Sequence, residues 1–457
     1  MKGFWTLRRA AAAVGAKCPN DLALSGVSTD TRTIERGALF VALRGEQFDA
    51  HDFLADAVER GAAALVVDDG EKAAGLGVPT LVVPNTLTAL GDLGLCMRTA
   101  WSRPVVAVGG SNGKTTTKEL IRATLSATLD VHATTGNLNN QIGVPQTLLA
   151  LNEDADIAVI EVGTNTPGEI AILRRIVKPD IAVVTTVQEE HLEGFGDLAG
   201  VMAEELSLTD GVQLAIVPAS EPNVVAEAVS RAQNVVTAGL VAGDVRADEW
   251  GLGENGRGWI RLGDVRIEVP APGAHNAANA MLAIAVGRAC GVRDADIARG
   301  MATAKFPPMR SSVGALGDAL LVNDAYNANP GSMRTALTLL EAVHGDRPMV
   351  VVLGTMRELG PRAESLHDDI ARTALATRAT VIGAVGEFAA AFARVAPKDP
   401  RVVSSADPES LWPLLAPRLD KRAAILLKAS RGVRLERLMP KLSEWAGVPI
   451  TEGRSLK

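Results

Sequence analysis

The sequence is short of cysteine, of aromatic residues, of positive charge and of long apolar runs, and these shortages narrow what it can be. Its three cysteines, Cys18, Cys96 and Cys290, stand far apart in 457 residues. That is neither a disulfide framework nor metal-ligand spacing, and it suits a reducing compartment. Aromatic residues make up 3% of the chain, with Tyr326 the one tyrosine, so the 47% hydrophobic content is mostly aliphatic. Lysine and arginine (46) are outnumbered by aspartate and glutamate (53), a net charge of -7. With a pI near 5.6, general affinity for nucleic acid or for anionic membranes is not expected, although a local basic site stays open. No stretch reaches the roughly 18 uncharged apolar residues of a membrane span. The opening residues, MKGFWTLRRAAAAVGAKC, carry charges inside any would-be apolar core. A cytoplasmic protein with no signal segment and no stable membrane association is the expectation.

What is present is ordinary for a folded chain, with 22% charged residues and a length that exceeds one usual core. Three segments are expected. Residues 1–98 mix short strands (37–43, 63–67, 80–83) with helices (52–62, 86–100), a small α/β domain. Residues 99–312 carry near-continuous apolar runs at 105–108, 157–162, 181–187 and 214–218, separated by helical stretches. Such runs read as parallel strands buried on both faces of a doubly wound sheet. A helix over 274–291 follows, and FPPMRSS (306–312) reads as a linker. Residues 313–457 alternate again from ALLVNDAYNANP (319–330) onward, with a helix over SMRTALTLLEAV, strands at 349–354, 380–386 and 424–430 and a helix near 363–377, a third, Rossmann-like α/β unit.

The most informative stretch is VVAVGGSNGKTTTKEL (105–120). The common phosphate-loop pattern has a glycine five residues before the one that precedes lysine, but Val108 stands there. The match is a shortened G-x-x-G-K-T: Gly110, Ser111, Asn112, Gly113, Lys114, Thr115, with Thr116 following. Glycines let backbone N–H groups face an anion, a helix N-terminus adds partial positive charge, and Lys114 neutralises phosphate oxygens. Thr115 offers a hydroxyl to Mg²⁺. A strand-to-helix turn can need glycines for geometry alone; strand, turn, lysine and three threonines together favour a nucleoside triphosphate, ATP or GTP.

This loop resembles that of the Mur ligases and their folylpolyglutamate synthetase relatives. TTGNLNNQIGVP (134–145), EVGTNTPGEI (161–170), HLEGFG (191–196), GAHNAAN (273–279), NDAYNANPGSM (323–333) and KASRGVRLE (428–436) occur in the family's order, and STDTR (28–32) with GALFVALRGEQFDAHDF (37–53) extends the likeness over essentially the whole chain. DAYNANP is similar to the branch that adds D-alanyl-D-alanine to UDP-N-acetylmuramoyl-tripeptide; the ligase that adds the third amino acid differs there. The resemblance implies ATP-dependent amide formation through an acyl phosphate in peptidoglycan precursor synthesis, by a monomer. On it, 1–98 would bind the UDP-sugar, 99–312 would hold ATP, and 313–457 would bind the dipeptide and close on the nucleotide. Another amino-acid-adding ligase of the family, or a nucleotide-binding relative that has lost catalysis, are the competing readings.

Residue roles follow from the same resemblance. Glu161, ending the strand IAVIE, would bind Mg²⁺ with Thr115; a solvated strand-end charge is its plain alternative. His191 would ligate a second Mg²⁺. The family places a carbamylated lysine shortly after that histidine, but this chain reads VMAEELSL (201–208) and the matching position is Glu205, with Glu204 beside it. Either it supplies a carboxylate directly, or the two glutamates are an exposed helical pair. Asn279 would meet the adenine edge. Arg310 would reach the nucleotide, although Met309 replaces the glycine expected before it. Asp324 would contact the ribose, and Tyr326, Asn327 and Asn329 would line the cleft near the nucleotide and the incoming dipeptide. In GTMRELG (354–360), Thr355 stands where the family has aspartate. Lys428, Ser430 and Arg431 would form a basic corner, while Arg434 and Glu436 would pair at the surface. Ser28, Thr29, Asp30 and Arg32 with Asn139, Asn140 and Gln141 would hold the sugar nucleotide.

Overall fold

Val105–Gly109, Ile157–Glu161, Met349–Gly354 and Ala424–Lys428 are strands in which every residue is buried. Apolar runs without alternation behave this way when helices cover both faces of a parallel sheet. Each fully buried valine, leucine or isoleucine stabilises by about 1.5–3 kcal/mol before the entropy of ordering is subtracted. In the computed structural model the described residues are 3–45, 48–253 and 255–448. Residues 46–47 of the motif 37–53, residue 254, and the end of the expected third segment, 449–457, lie outside them.

The chain divides into two units: Met1–Ala107 with Leu129–Thr164 and Gly168–Ile181, and Val108–Thr128 with Asn165–Pro167 and Ala182–Lys457. The first unit contains a four-stranded parallel sheet of Val27–Ser28, Leu39–Val41, Ala64–Val67 and Thr80–Val82 in that order. The helix expected at 52–62 is a 3-10 turn, Ala50–Phe53, running into an α-helix, Leu54–Glu59. It stops early because Gly61 follows with φ 110°, outside helical space. Helix Thr86–Trp101 starts where the Asn85 side chain accepts the Thr88 N–H at 2.8 Å and ends at left-handed Ser102.

In the second unit Val245–Arg246, Val235–Gly239 and Leu214–Pro218 pair side by side in parallel; in the first, Val131–Ala133 pairs in parallel with Ile157–Glu161. In the second unit, helices Lys114–Leu125 and Ala274–Ala289 pack together, closely enough that a Cβ on Gly287 would come within 2.8 Å of Thr124. A three-stranded antiparallel sheet, Glu249–Leu252, Arg257–Leu262 and Val265–Pro272, has no counterpart in the sequence expectations. Its middle strand alternates buried and open positions, so half of it faces out and no apolar run marks it. The six-stranded sheet runs Ser312–Leu316, Ala319–Asp324, Ala424–Lys428, Met349–Gly354, Ala379–Val385, Val402–Ser405. Its first pair is an antiparallel hairpin and the rest are parallel. The architecture is α/β with mostly parallel sheets. Among the described residues no helix is long and apolar enough to cross a membrane.

Candidate active site

The strand Val105–Gly109 delivers the chain to Gly110 (φ 113°) and Gly113 (φ 86°), and helix Lys114–Leu125 begins immediately after. Both positions require glycine. A Cβ on Gly110 would collide with the Thr185 hydroxyl and lie 2.8 Å from the Thr185 nitrogen; one on Gly113 would lie 2.8 Å from Asn279 Nδ2. Left-handed backbone disfavours any side chain there in addition. Ser111 N–H donates to Thr186 O at 2.7 Å and the Thr185 hydroxyl to Asn112 O at 2.6 Å, so the loop is pinned to the strand beside it. The N-cap of helix Lys114–Leu125 is Gly113, which brings no side chain to the helix end; a helix N-terminus of this kind carries partial positive charge toward an anion.

The loop is braced by side chains from distant positions. Glu205 Oε2 accepts the Gly110 N–H at 2.7 Å. Glu205 is fully buried on helix Leu198–Leu206, Glu204 is buried beside it, and Glu205 Oε1 has no hydrogen-bond partner among the described residues. The exposed glutamate pair considered from sequence is thereby corrected: this face of the helix points inward. Burial raises the Glu205 carboxyl to about 7, against the pull of Lys114 and the Gly110 amide. Lys114 Nζ donates to Gly110 O (2.5 Å) and Ser111 O (3.2 Å), and lies 3.9 Å from the carboxylate of buried Glu190. Burial also pushes the Glu190 carboxyl above its ordinary value, opposed by Lys114 and His191. Asn112 bonds Gln188 (2.8 Å) and exchanges two bonds with Asn329. His191, at φ 48°, pairs through Nδ1 with Glu358, which holds the ring's pKa above the ordinary value despite burial.

The phosphate loop that opens this site lies inside a span, residues 108–287, that matches the family profile described as Mur ligase middle domain. Residues 23–95 match Mur ligase family, catalytic domain, and residues 310–431 match Mur ligase, glutamate ligase domain. The chain is 35% identical to the UDP-N-acetylmuramoyl-tripeptide--D-alanyl-D-alanine ligase of Bacillus subtilis, over 92% of this chain and 93% of that one. The chain belongs to the Mur ligase family. It is 38% identical to the Escherichia coli ligase of the same name over 80% of this chain and 82% of the relative. MurF from Acinetobacter baumannii has a similar structure, with a TM-score of 0.88 and 31% identity, covering 96% of this chain and 99% of that one. So has the MurF ligase of Thermotoga maritima in complex with ADP, at 0.81 and 27%, covering 92% and 98%.

In this Mur ligase the linker 306–312 and the last segment bring several expected residues together. Asp324 receives the Ser311 N–H at 2.7 Å and forms a 2.6 Å ion pair with buried Lys428, whose Nζ also donates to Asn327 O. Arg310 stacks on the Tyr326 ring, 3.9 Å from its centroid, between Met309 (φ 60°) and Ser311 (φ 49°). Asn329 caps helix Pro330–Val343. Ser430 accepts the Arg357 N–H at 3.0 Å. Glu436 pairs with Arg431 at 3.1 Å, not with the Arg434 expected from sequence, because Arg434 takes a left-handed conformation between two short 3-10 turns. Asn279 lies against Gly113 and bonds Asn276 at 3.2 Å. His275, half-buried near Asp324 and Lys428, is held neutral by desolvation, its pKa down at about 4.

The first unit carries its own set. Glu161 is buried at its strand end, its N–H donating to Thr134 Oγ and its Oε1 accepting from Asn139 at 2.9 Å. Gln141 reaches Glu169 at 3.1 Å, Asn140 Oδ1 accepts the Gly143 N–H, and Thr29 accepts from Gln146 at 2.7 Å. Asp30 pairs with Arg32 at 2.7 Å, which lowers its carboxyl to about 2; Ser28 Oγ receives the Asp30 N–H.

Glu190, Gln188 and Glu358 were not among the expected site residues. The first two stand just before HLEGFG, where the acidic run QEEH offered a signal; Glu358 lies in GTMRELG, flagged for Thr355 instead. Nothing local in sequence tells that a loop glutamate such as Glu190 will be buried beside a lysine.

Proposed function

We propose that this Mur ligase joins D-alanyl-D-alanine to UDP-N-acetylmuramoyl-tripeptide with ATP, releasing ADP and phosphate, in peptidoglycan precursor synthesis. The single observation that carries this is near-full-length identity, 35% over 92% of the chain, to a relative named for that reaction. A carboxylate oxygen of the tripeptide attacks the γ-phosphorus, ADP departs, and an acyl phosphate remains. The dipeptide amine then attacks the carbonyl carbon, loses a proton and expels phosphate as the amide forms. Such chemistry asks the protein for positioning and charge neutralisation more than for a nucleophile.

Lys114 and the amides of the loop Gly110–Gly113 are assigned to the phosphates, with Thr116, Asn279, Arg310 and Asp324 serving the rest of the nucleotide. Magnesium, when bound, neutralises the charge that develops between nucleotide and acid. Among the described residues no group of three or more histidines, cysteines or acids is set to hold a metal, which suits a cation that completes its shell with phosphates and water. The buried Oε1 of Glu205, without a hydrogen-bond partner among the described residues, is a hard donor of the required kind, so the residues fit. We assign Thr115 and Glu161 to one such cation and His191 and Glu205 to a second. Ser28, Thr29, Asp30, Arg32, Asn139, Asn140 and Gln141 are assigned to the sugar nucleotide; Tyr326, Asn327, Asn329, Lys428, Ser430 and Arg431 to the dipeptide side. We place the reaction in the cytoplasm and assign it to a monomer that uses no nucleic acid.

The test is incubation with ATP, UDP-N-acetylmuramoyl-tripeptide and either D-alanyl-D-alanine or single amino acids, reading amide product and phosphate. Product with the dipeptide is expected; product with single amino acids alone overturns the reading, and ATP binding without any amide places the chain among relatives that have lost catalysis.

A further inference from the structure

Two non-glycine residues in left-handed backbone meet across a long sequence gap. His191 has φ 48° and Glu358 has φ 63°, and the imidazole Nδ1 is bound to Glu358 Oε2. The contact is doubled by backbone, since Glu193 N–H donates to Glu358 O at 3.1 Å. Left-handed conformation disfavours a side chain and persists where the surroundings over-determine it, a pattern that concentrates at functional sites.

Both sides are over-determined here. His191 O accepts the N–H groups of Gly194 and Phe195, closing the short helix Leu192–Phe195. On the other side, Met356 N–H donates to His367 Nε2 at 2.9 Å, Arg357 N–H to Ser430 Oγ at 3.0 Å, and Arg362 pairs with Glu189 at 2.5 Å. The loop 354–362 is therefore aimed, and what it aims at His191 is a carboxylate.

We infer that Glu358 is a positioning residue for His191: its carboxylate takes the Nδ1–H and leaves Nε2 as the ring's lone-pair nitrogen, the form in which histidine ligates a cation. Nε2 makes none of the hydrogen bonds found among the described residues, so it is available for that role. Carboxylate partners of this kind orient ligating histidines and select the tautomer. The inference deepens the function proposed above and rests on it. It adds that the last α/β segment takes part in the site by orienting a histidine of the middle segment, not solely by supplying contacts to the dipeptide.

The test uses the full chain with ¹⁵N-labelled histidine, the His191 signals being assigned by their loss in His191→Asn. Glu358→Gly tolerates the left-handed backbone while removing the carboxylate; Glu358→Gln keeps the side chain's bulk and a neutral acceptor. At a pH where the ring is neutral, the wild-type chain should show Nδ1 protonated, and Glu358→Gly should show the proton moved to Nε2. Mn²⁺ affinity in the presence of ADP should fall about 10- to 100-fold in Glu358→Gly, with Glu358→Gln between. Unchanged ¹⁵N signals in these variants overturn the assignment, as does Mn²⁺ binding indifferent to Glu358 and His191. If the variants behave as expected while the wild-type chain forms no amide with the dipeptide, it is the proposed reaction that fails and the positioning role that stands.

Discussion

Asn112 and Asn329 exchange amide hydrogen bonds, Nδ2 of the first to Oδ1 of the second at 3.1 Å and the reverse at 3.0 Å. One sits between the glycines of the phosphate loop; the other caps helix Pro330–Val343, with its Oδ1 also taking the Ser332 N–H at 2.8 Å. A single oxygen thus serves cap and bridge. Asn329→Ser keeps a capping hydroxyl and removes the bridge, so Asn112→Ala and Asn329→Ser should couple by about 1 kcal/mol in a double-mutant cycle of denaturant unfolding. Strict additivity would show that the bridge contributes nothing.

Lys114 rests on backbone carbonyls at the mouth of the loop. Removing its charge should slow the reaction far more than it unfolds the chain. Lys114→Met is expected to lower kcat/KM for ATP by about 100-fold or more with little change in melting temperature. Turnover within a few-fold of the unaltered enzyme would take Lys114 out of the reaction.

Glu205 titrates late, at about 7 against an ordinary 4.5. A raised carboxyl means that the folded chain holds a proton that the unfolded chain has released, so this group's contribution to stability falls as pH rises from about 4.5 through 7. At about 1.4 kcal/mol per pKa unit, Glu205→Gln, which keeps an acceptor for Gly110 N–H, should gain about 3 kcal/mol over the parent between pH 4.5 and pH 8. Chemical unfolding at the two pH values reads this; equal gains would mean the carboxyl ionises normally. On the assignment of Glu205 to the cation, with its carboxylate supplied directly, turnover should also be indifferent to removal of bicarbonate.

His275 is half-buried near Asp324 and Lys428, and desolvation holds it neutral down to about pH 4. A depressed histidine stabilises the fold above its ordinary pKa of 6.5, and that contribution is lost as pH falls toward 4. Its NMR resonances should stay fixed between pH 7 and pH 5, where an exposed histidine would titrate. Movement centred near 6.5 would show that the ring is wet.

The large parallel strands were legible because burial on both faces leaves uninterrupted apolar runs, as Leu214–Pro218 and Met349–Gly354 show at their expected limits. The antiparallel strands at 249–272 were not, since alternation with glycine and arginine resembles loop. In the candidate site, Gly110, Gly113 and Lys114 were readable from spacing alone. The inward turn of Glu205 was not: a helix displays its glutamates identically in sequence whichever face packs, and the choice depended on where helix Leu198–Leu206 came to rest.

The amino-acid order by itself determined the glycine turn, the helix that follows it and the alternation of strands and helices, because backbone preference and apolar period act over a few neighbours. Only the tertiary structure decided which carboxylates face Gly110 and Lys114, that Asn112 meets Asn329 and that Glu358 meets His191. Those partners lie from 76 to 217 residues apart, and distances of that kind are set by how sheets and helices pack, which local chemistry does not encode.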